Sequence, residues 1–128
     1  MPLRESLRVL VVDDMSTSRG LMAQALDVLG VVRVSQARNG PEAWGAIRHD
    51  PPDLVLSDLH MPGTSGLELL RAIRADEATR GCRFVLVTGA SGAEAIRRAP
   101  PRELDGILGK PFTTSELQEC IESVMGRL

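Results

Sequence analysis

Leu7 to Val12 is a short, almost unbroken apolar run, the pattern of a strand buried on both faces, and it stops at Asp13-Asp14. Leu21, Met22, Ala25, Leu26 and Leu29 then recur at helical spacing, with Ser16 or Ser18 placed to cap the helix and Gly30 to stop it. Val31 to Ala37 predicts a second strand, with Val32 and Val34 on one face. Asn39-Gly40 turns the chain, Pro41 suits the first helical position, and the helix runs to about His49 before Pro51-Pro52. Leu54-Val55-Leu56 is a third strand ending at Asp58, followed by a loop from Met61 to Gly66. Leu67, Leu70, Ile73 and Arg74 carry a helical period to about Asp76. Phe84 to Val87 is a fourth strand closed by Thr88-Gly89, and Ala93 to Ala99 a short helix halted by Pro100-Pro101. Gly106-Ile107-Leu108 is a fifth strand ending at Lys110-Pro111. Thr113 and Glu116 form a capping box for a last helix with Leu117, Ile121, Val124 and Met125 or Leu128 inward.

Five strands alternating with five helices predict an α/β fold, a doubly wound parallel sheet covered by helices on both faces. In such a sheet every strand's C-terminal end reaches one edge, where ligands bind. Those ends carry Asp13-Asp14, Asp58, Thr88 and Lys110. A lone Asp after a strand is ordinarily a turn former. Three carboxylates at one edge repel unless a cation joins them, and oxygen ligands with retained waters suit Mg²⁺. Zn²⁺ is disfavoured, because neither cysteine lies at this edge and His60 stands alone. The Lys110 ammonium balances charge and awaits an anion such as a phosphoryl oxygen, to which the Thr88 hydroxyl donates as well. Carboxylates form acyl phosphates. Asp58, single on the middle strand, is the nucleophile candidate, and Asp13 and Asp14 suit the metal.

Composition narrows the function. The chain of 128 residues predicts one domain, residues 1–128, with a core large enough to need no staples. An apolar share of 43% against 25% charged excludes a disordered or fibrous chain. The formal charge of −2 offers no basic excess to nucleic acid or anionic lipid. Trp44, Phe84 and Phe112 are the only aromatics, too few for a base-stacking platform. Cys82 and Cys120 form no paired motif and read as small core hydrophobes. No apolar run reaches the length of a membrane span. The start, Met1-Pro2-Leu3-Arg4-Glu5, lacks a cleavage pattern, so the chain is expected to work in the cytoplasm.

Val11-Val12-Asp13-Asp14, Leu56-Ser57-Asp58-Leu59-His60-Met61-Pro62, Gly66-Leu67-Glu68-Leu69-Leu70, Val87-Thr88-Gly89-Ala90 and Gly109-Lys110-Pro111-Phe112 together resemble the receiver domain of two-component response regulators, over Leu7 to Leu128. The start of the first helix, Asp14 to Arg19, resembles the single-domain chemotaxis type. The resemblance implies a flavodoxin-like sheet of strand order 2-1-3-4-5. It implies that Asp58 accepts a phosphoryl group from a phosphohistidine on a histidine kinase. Asp14, Asp58 and the backbone carbonyl of His60 would bind Mg²⁺ (or Mn²⁺), with Asp13 holding it through water. Thr88 and Lys110 would contact the phosphoryl oxygens, and the peptide before Pro111 is often cis in the family. Phosphorylation would then shift a population, drawing Thr88 inward and repacking the face made by the fourth helix, fifth strand and fifth helix. The implied target is a protein such as a flagellar motor switch or another regulator; a phosphate sink is the alternative output.

The chain departs from that pattern in places. Ile107 stands where the family carries Tyr or Phe, and Gly89 where Ala is usual. His60 and Ala90 occupy positions that border the attacking water in the family, so His60 reads either as a surface residue or as one that bears on hydrolysis. His49 reads as a favourable helix C-terminal residue, Trp44 as packing, and Arg97-Arg98 as a solvated face. A small aspartate-nucleophile phosphatase would want an acid/base carboxylate where His60 stands. A flavin or nucleotide module would want a glycine-rich loop after the first strand, where Asp13-Asp14 would repel phosphate.

Overall fold

The computed structural model describes residues 2–98 and 100–128. In chain order the elements are α1 (Leu3–Ser6), β1 (Arg8–Val12), α2 (Ser16–Val28), β2 (Arg33–Ala37), α3 (Gly40–His49), β3 (Leu54–Asp58), α4 (Gly66–Ala75), β4 (Arg83–Gly89), α5 (Ala90–Arg98), β5 (Gly106–Lys110) and α6 (Thr114–Met125). The five strands form one parallel sheet in the order β2-β1-β3-β4-β5. Strand alternation divides the core in two. Leu10, Val12, Val55, Phe84 and Leu86 pack with Ala43 and Ile47 of α3 and Leu69, Leu70 and Ile73 of α4. Val9, Val11, Leu54, Leu56, Val85 and Val87 pack with Met22 and Leu26 of α2 and Leu117 and Ile121 of α6. Both faces of the middle strands are therefore dry, which is why they read as unbroken apolar runs. Among the described residues no helix is long and apolar enough to cross a membrane.

Several local expectations are corrected. Six helices are present rather than five. The extra one, α1, is a single turn that follows Pro2 and lays Leu3 against the core. β2 begins at Arg33, so Val32 lies outside it and is 66% exposed. Neither Ser16 nor Ser18 caps α2: Met15 holds the cap position without a side-chain bond. Pro41 is the second residue of α3, because the Asn39 side chain caps the helix from one residue earlier by accepting from the Glu42 N–H. α5 starts at Ala90, directly where β4 ends, rather than at Ala93. Its expected end at Ala99 lies outside the described residues. Gly30, at φ +84°, stops α2 as expected, and the Thr113–Glu116 capping box is present.

A half-buried arginine ties the far end of the sheet together. Arg74 of α4 donates to the carbonyls of Arg80, Cys82 and Glu103 and pairs with Asp105 Oδ2 at 2.8 Å. Asp105 Oδ2 also accepts the Phe84 N–H at 2.7 Å. The connection between α5 and β5 is thereby fastened to α4 and to the start of β4.

Candidate phosphoacceptor site

Parallel topology brings the ends of β1, β3, β4 and β5 to one edge. Asp13, at the end of β1, is 5% exposed and accepts the Met15 N–H at 3.0 Å. Arg19 of α2 donates to the Asp13 carbonyl at 2.8 Å, fixing the chain where it leaves the strand. Asp58 ends β3. Its backbone carbonyl accepts the buried Ser57 hydroxyl at 2.9 Å and lies so close to Gly66 that any side chain there would overlap it. Gly66 therefore lets the first turn of α4 sit directly under Asp58.

One oxygen each from Asp13, Asp14 and Asp58 lies within 4.8 Å of the others. Lys110 Nζ, from the end of β5, stands 3.0 Å from Asp13 Oδ2, 3.6 Å from Asp58 Oδ1 and 3.1 Å from Ser18 Oγ. Burial pushes the Asp13 carboxyl up, but the Ser18 hydroxyl, the Met15 N–H and the Lys110 ammonium together outweigh it and hold it below the usual carboxylate value. Burial also pushes Asp58 up; Lys110 opposes that shift and the charge on Asp13 adds to it. One ammonium against three carboxylates leaves the cluster short of two positive charges, and hard oxygen donors at this spacing fit a divalent cation such as Mg²⁺. Asp13, Asp14 and Asp58, three of the residues expected at the metal, therefore lie together.

Thr88, the penultimate residue of β4, is buried at 2% exposure, in register with Gly109 of β5, and its hydroxyl stands against Gly92 of α5. Ile107 is half-buried on β5 beside Leu86. The Lys110–Pro111 peptide is cis, as the resemblance implied. His60 is exposed in the turn that leaves β3. Trp44 packs on the α3–α4 side of the core with Arg48 over its ring, and Arg97 and Arg98 are exposed, Arg98 paired to Glu94 at 2.8 Å. Cys82 and Cys120 are free thiols whose ionisation burial disfavours.

Two residues at the site escape a reading of the sequence. Ser18 reads as a helix cap but turns its hydroxyl to Lys110, and its only signal is a place one turn after Asp13-Asp14. Gly92 falls just before the helix start expected at Ala93 but is the third residue of α5. Beside Lys110 a cleft of about 670 Å³ opens between α2 and the β5–α6 connection, with Met15, Ser18, Leu21, Met22 and Phe112 among its walls. Met15 and Leu21 are each 61% exposed there.

With this fold and edge, the chain belongs to the response regulator receiver domain family, which it matches over residues 9–122. It is 34% identical over 128 residues to a probable chemotaxis protein CheY of Rhizobium etli, covering 100% of this chain and 99% of that one. It superposes on the chemotaxis response regulator CheY4 of Vibrio cholerae with a TM-score of 0.82 at 26% identity, covering 93% of this chain and 98% of the other. The receiver domain of a sensor histidine kinase from Pseudomonas aeruginosa, solved with magnesium coordinated in its active-site cleft, gives a TM-score of 0.82 at 26% identity, covering 94% and 98%. The protein is a flavodoxin-like receiver homologous to the CheY chemotaxis response regulators, a phosphoacceptor class rather than a class of metabolic enzymes.

Proposed function

We propose that this receiver acts alone in the cytoplasm, residues 1–128 forming its single domain, and that Asp58 is its phosphoacceptor. The observation that carries the reading is the Asp58 carboxylate at the end of the central strand, beside two further carboxylates within 4.8 Å and an ammonium at 3.6 Å. An Asp58 oxygen attacks the phosphorus of a phosphohistidine on a histidine kinase. The P–N bond breaks, the electron pair stays with the imidazole, and an aspartyl phosphate forms. Asp14, Asp58 and the His60 carbonyl would hold Mg²⁺ (or Mn²⁺), with Asp13 acting through water; bound there, the cation offsets the negative charge of the transferring group. Lys110 exchanges its hydrogen bond to Asp13 for a phosphoryl oxygen, and the Thr88 hydroxyl donates to another. The apolar cleft runs up to Lys110, which fits a protein phosphodonor seated on α2.

The output is a change in the α5–β5–α6 face, with Thr88, Ile107 and Pro111 on its path. α5 is weakly anchored, with Ala93 its one fully buried side chain and Ile96 partly buried, whereas α4 buries Leu69, Leu70 and Ile73 as well as Gly66. A helix so lightly packed is the element that a small shift at Thr88 can move. The downstream target is a protein such as a motor switch or another regulator, and the protein's own chemistry is limited to slow loss of its aspartyl phosphate. The test is Asp58→Asn, which keeps the shape and removes the nucleophilic oxygen. The variant should fold and show no phosphoryl adduct by intact mass after incubation with acetyl phosphate and Mg²⁺. An adduct as abundant as in the wild type refutes the assignment.

A further inference from the structure

Gly92 is the third residue of α5, and it lies so close to Thr88 that a β-carbon there would overlap the threonine hydroxyl where it now stands. A β-carbon at position 92 would lie 2.6 Å from Thr88 Oγ1, 3.3 Å from Cγ2 and 3.5 Å from Cβ. The other two glycines near this corner, Gly89 and Gly109, have nothing within 4 Å of such a carbon. Space against the threonine is therefore particular to position 92. It does not arise from positive φ, which among the described residues occurs only at Gly30, Gly63 and Gly126.

The hydroxyl occupies the staggered site of Thr88 that points most closely at α5, the methyl the next closest, and the β-hydrogen the third. Only one rotation about Cα–Cβ relieves a methyl group placed at 92. It brings the β-hydrogen to the near site and carries the hydroxyl to the site that Cγ2 now holds. The opposite rotation would drive Cγ2 into the near site. We propose that Gly92 is a positioning residue for Thr88: the missing side chain lets the hydroxyl rest on α5 in the unphosphorylated protein, and filling that space displaces it from that contact, freeing it for the phosphoryl group that Asp58 would carry. The inference rests on the proposed roles of Asp58 and Thr88. Residue 92 then sets the population of the acceptor-ready arrangement without touching the phosphoryl group.

The experiment measures the initial rate of adduct formation from acetyl phosphate with Mg²⁺, by intact mass, in four full-length proteins: wild type, Gly92→Ala, Thr88→Ala and the double variant. Gly92→Ala should raise the rate about threefold over wild type, as expected for a minor rotamer made dominant. The double variant should match Thr88→Ala, because no γ atom remains to be displaced. Alanine also improves helix propensity in α5, and that effect is common to both backgrounds, so the cycle separates it. An unchanged or lower rate in Gly92→Ala, or the same gain in both backgrounds, overturns the inference. Loss of the fold on Gly92→Ala in either background overturns it too, since relief by rotation is what it requires. The underlying reading fails separately, if Asp58→Asn still takes up the phosphoryl group or if Thr88→Ala reacts at the wild-type rate.

Discussion

Replacing Asp14 by asparagine removes one of three carboxylates whose oxygens lie within 4.8 Å of one another. At that distance two like charges repel by roughly 3.5 kcal/mol at an effective dielectric of about 20, and by roughly 0.9 kcal/mol in water. Asp14 is exposed, so the lower figure governs. It acts against two neighbours, and the Lys110 ammonium offsets roughly one of them, so the net relief is about 1 kcal/mol. For 128 residues that raises Tm by about 4 °C in the presence of a chelator. Magnesium works in the opposite sense. At ten times its Kd a ligand bound only to the native state adds about 1.4 kcal/mol, which wild type gains and the variant largely loses. The two proteins should therefore exchange order: Asp14→Asn melts higher without Mg²⁺, and wild type catches or passes it with Mg²⁺. Calorimetric melts at low ionic strength across a Mg²⁺ series test this. A variant that melts below wild type in chelator refutes the repulsion, and one that gains as much from Mg²⁺ refutes the ligand role.

Asp58→Asn should gain stability on a different axis. The native Asp58 carboxyl titrates above its unfolded value, so it contributes stability that is full below about pH 4 and is lost as pH rises through the native value. Urea melts without metal should show the asparagine variant ahead at pH 7 and the gap closing toward pH 3; a gap that widens on acidification contradicts this. Arg74→Met strips partners from three carbonyls and from Asp105, and should cost about 3 kcal/mol and about 10 °C in Tm; a loss within error of zero would mean the clamp is idle. Ile107→Tyr restores a ring with a polar tip and should alter affinity for the downstream partner more than the rate of phosphorylation, measured on one preparation by titration and rapid quench; the reverse pattern places residue 107 in the acceptor site. Leu21→Glu puts a charge in the cleft beside Lys110 and should slow transfer from the kinase while uptake from acetyl phosphate is unchanged; equal slowing of both donors argues against a protein seated there.

The edge cluster was legible because the period of the chain changes with each element. Short apolar runs that alternate with helical periods force parallel strands, and parallel strands deliver Asp13, Asp58, Thr88 and Lys110 to one place whatever the loops do. What stayed hidden depends on where an element begins by one or two residues. Ser18 was readable as a cap only because serine caps helices often; with Met15 at the cap position, Ser18 falls one turn inward and faces Lys110. With the helix expected from Ala93, Gly92 fell outside it, yet β4 passes into α5 with no loop and only Gly92 of the two glycines there lies against Thr88. Val32 read as strand because its neighbours are apolar, but the ladder with β1 begins at Arg33. Arg74 showed only as part of the helical period, with no sign of its clamp, because the segments it binds, at Arg80 to Cys82 and Glu103 to Asp105, meet it only when they fold back onto it.

The two ends of α5 are held in unlike ways, and this constrains how the helix can travel. At its start the chain comes straight off β4, so the first turn shares the sheet's position to within one peptide. Beyond its end, the segment at Glu103 and Asp105 is gripped by Arg74. The direct join to β4 opposes sliding at the start of the helix, while the grip on Glu103 acts only through the link that follows Arg98. Rolling disturbs these attachments least, with Ala93 and Ile96 as the narrow keel on which the lightly packed helix turns. A partner reading this helix would thus meet a change in which side chains point outward, Arg97 and Arg98 among them, at a nearly constant height above the sheet. The message would be a matter of facing rather than of distance, and a binding site that measured only depth would not hear it.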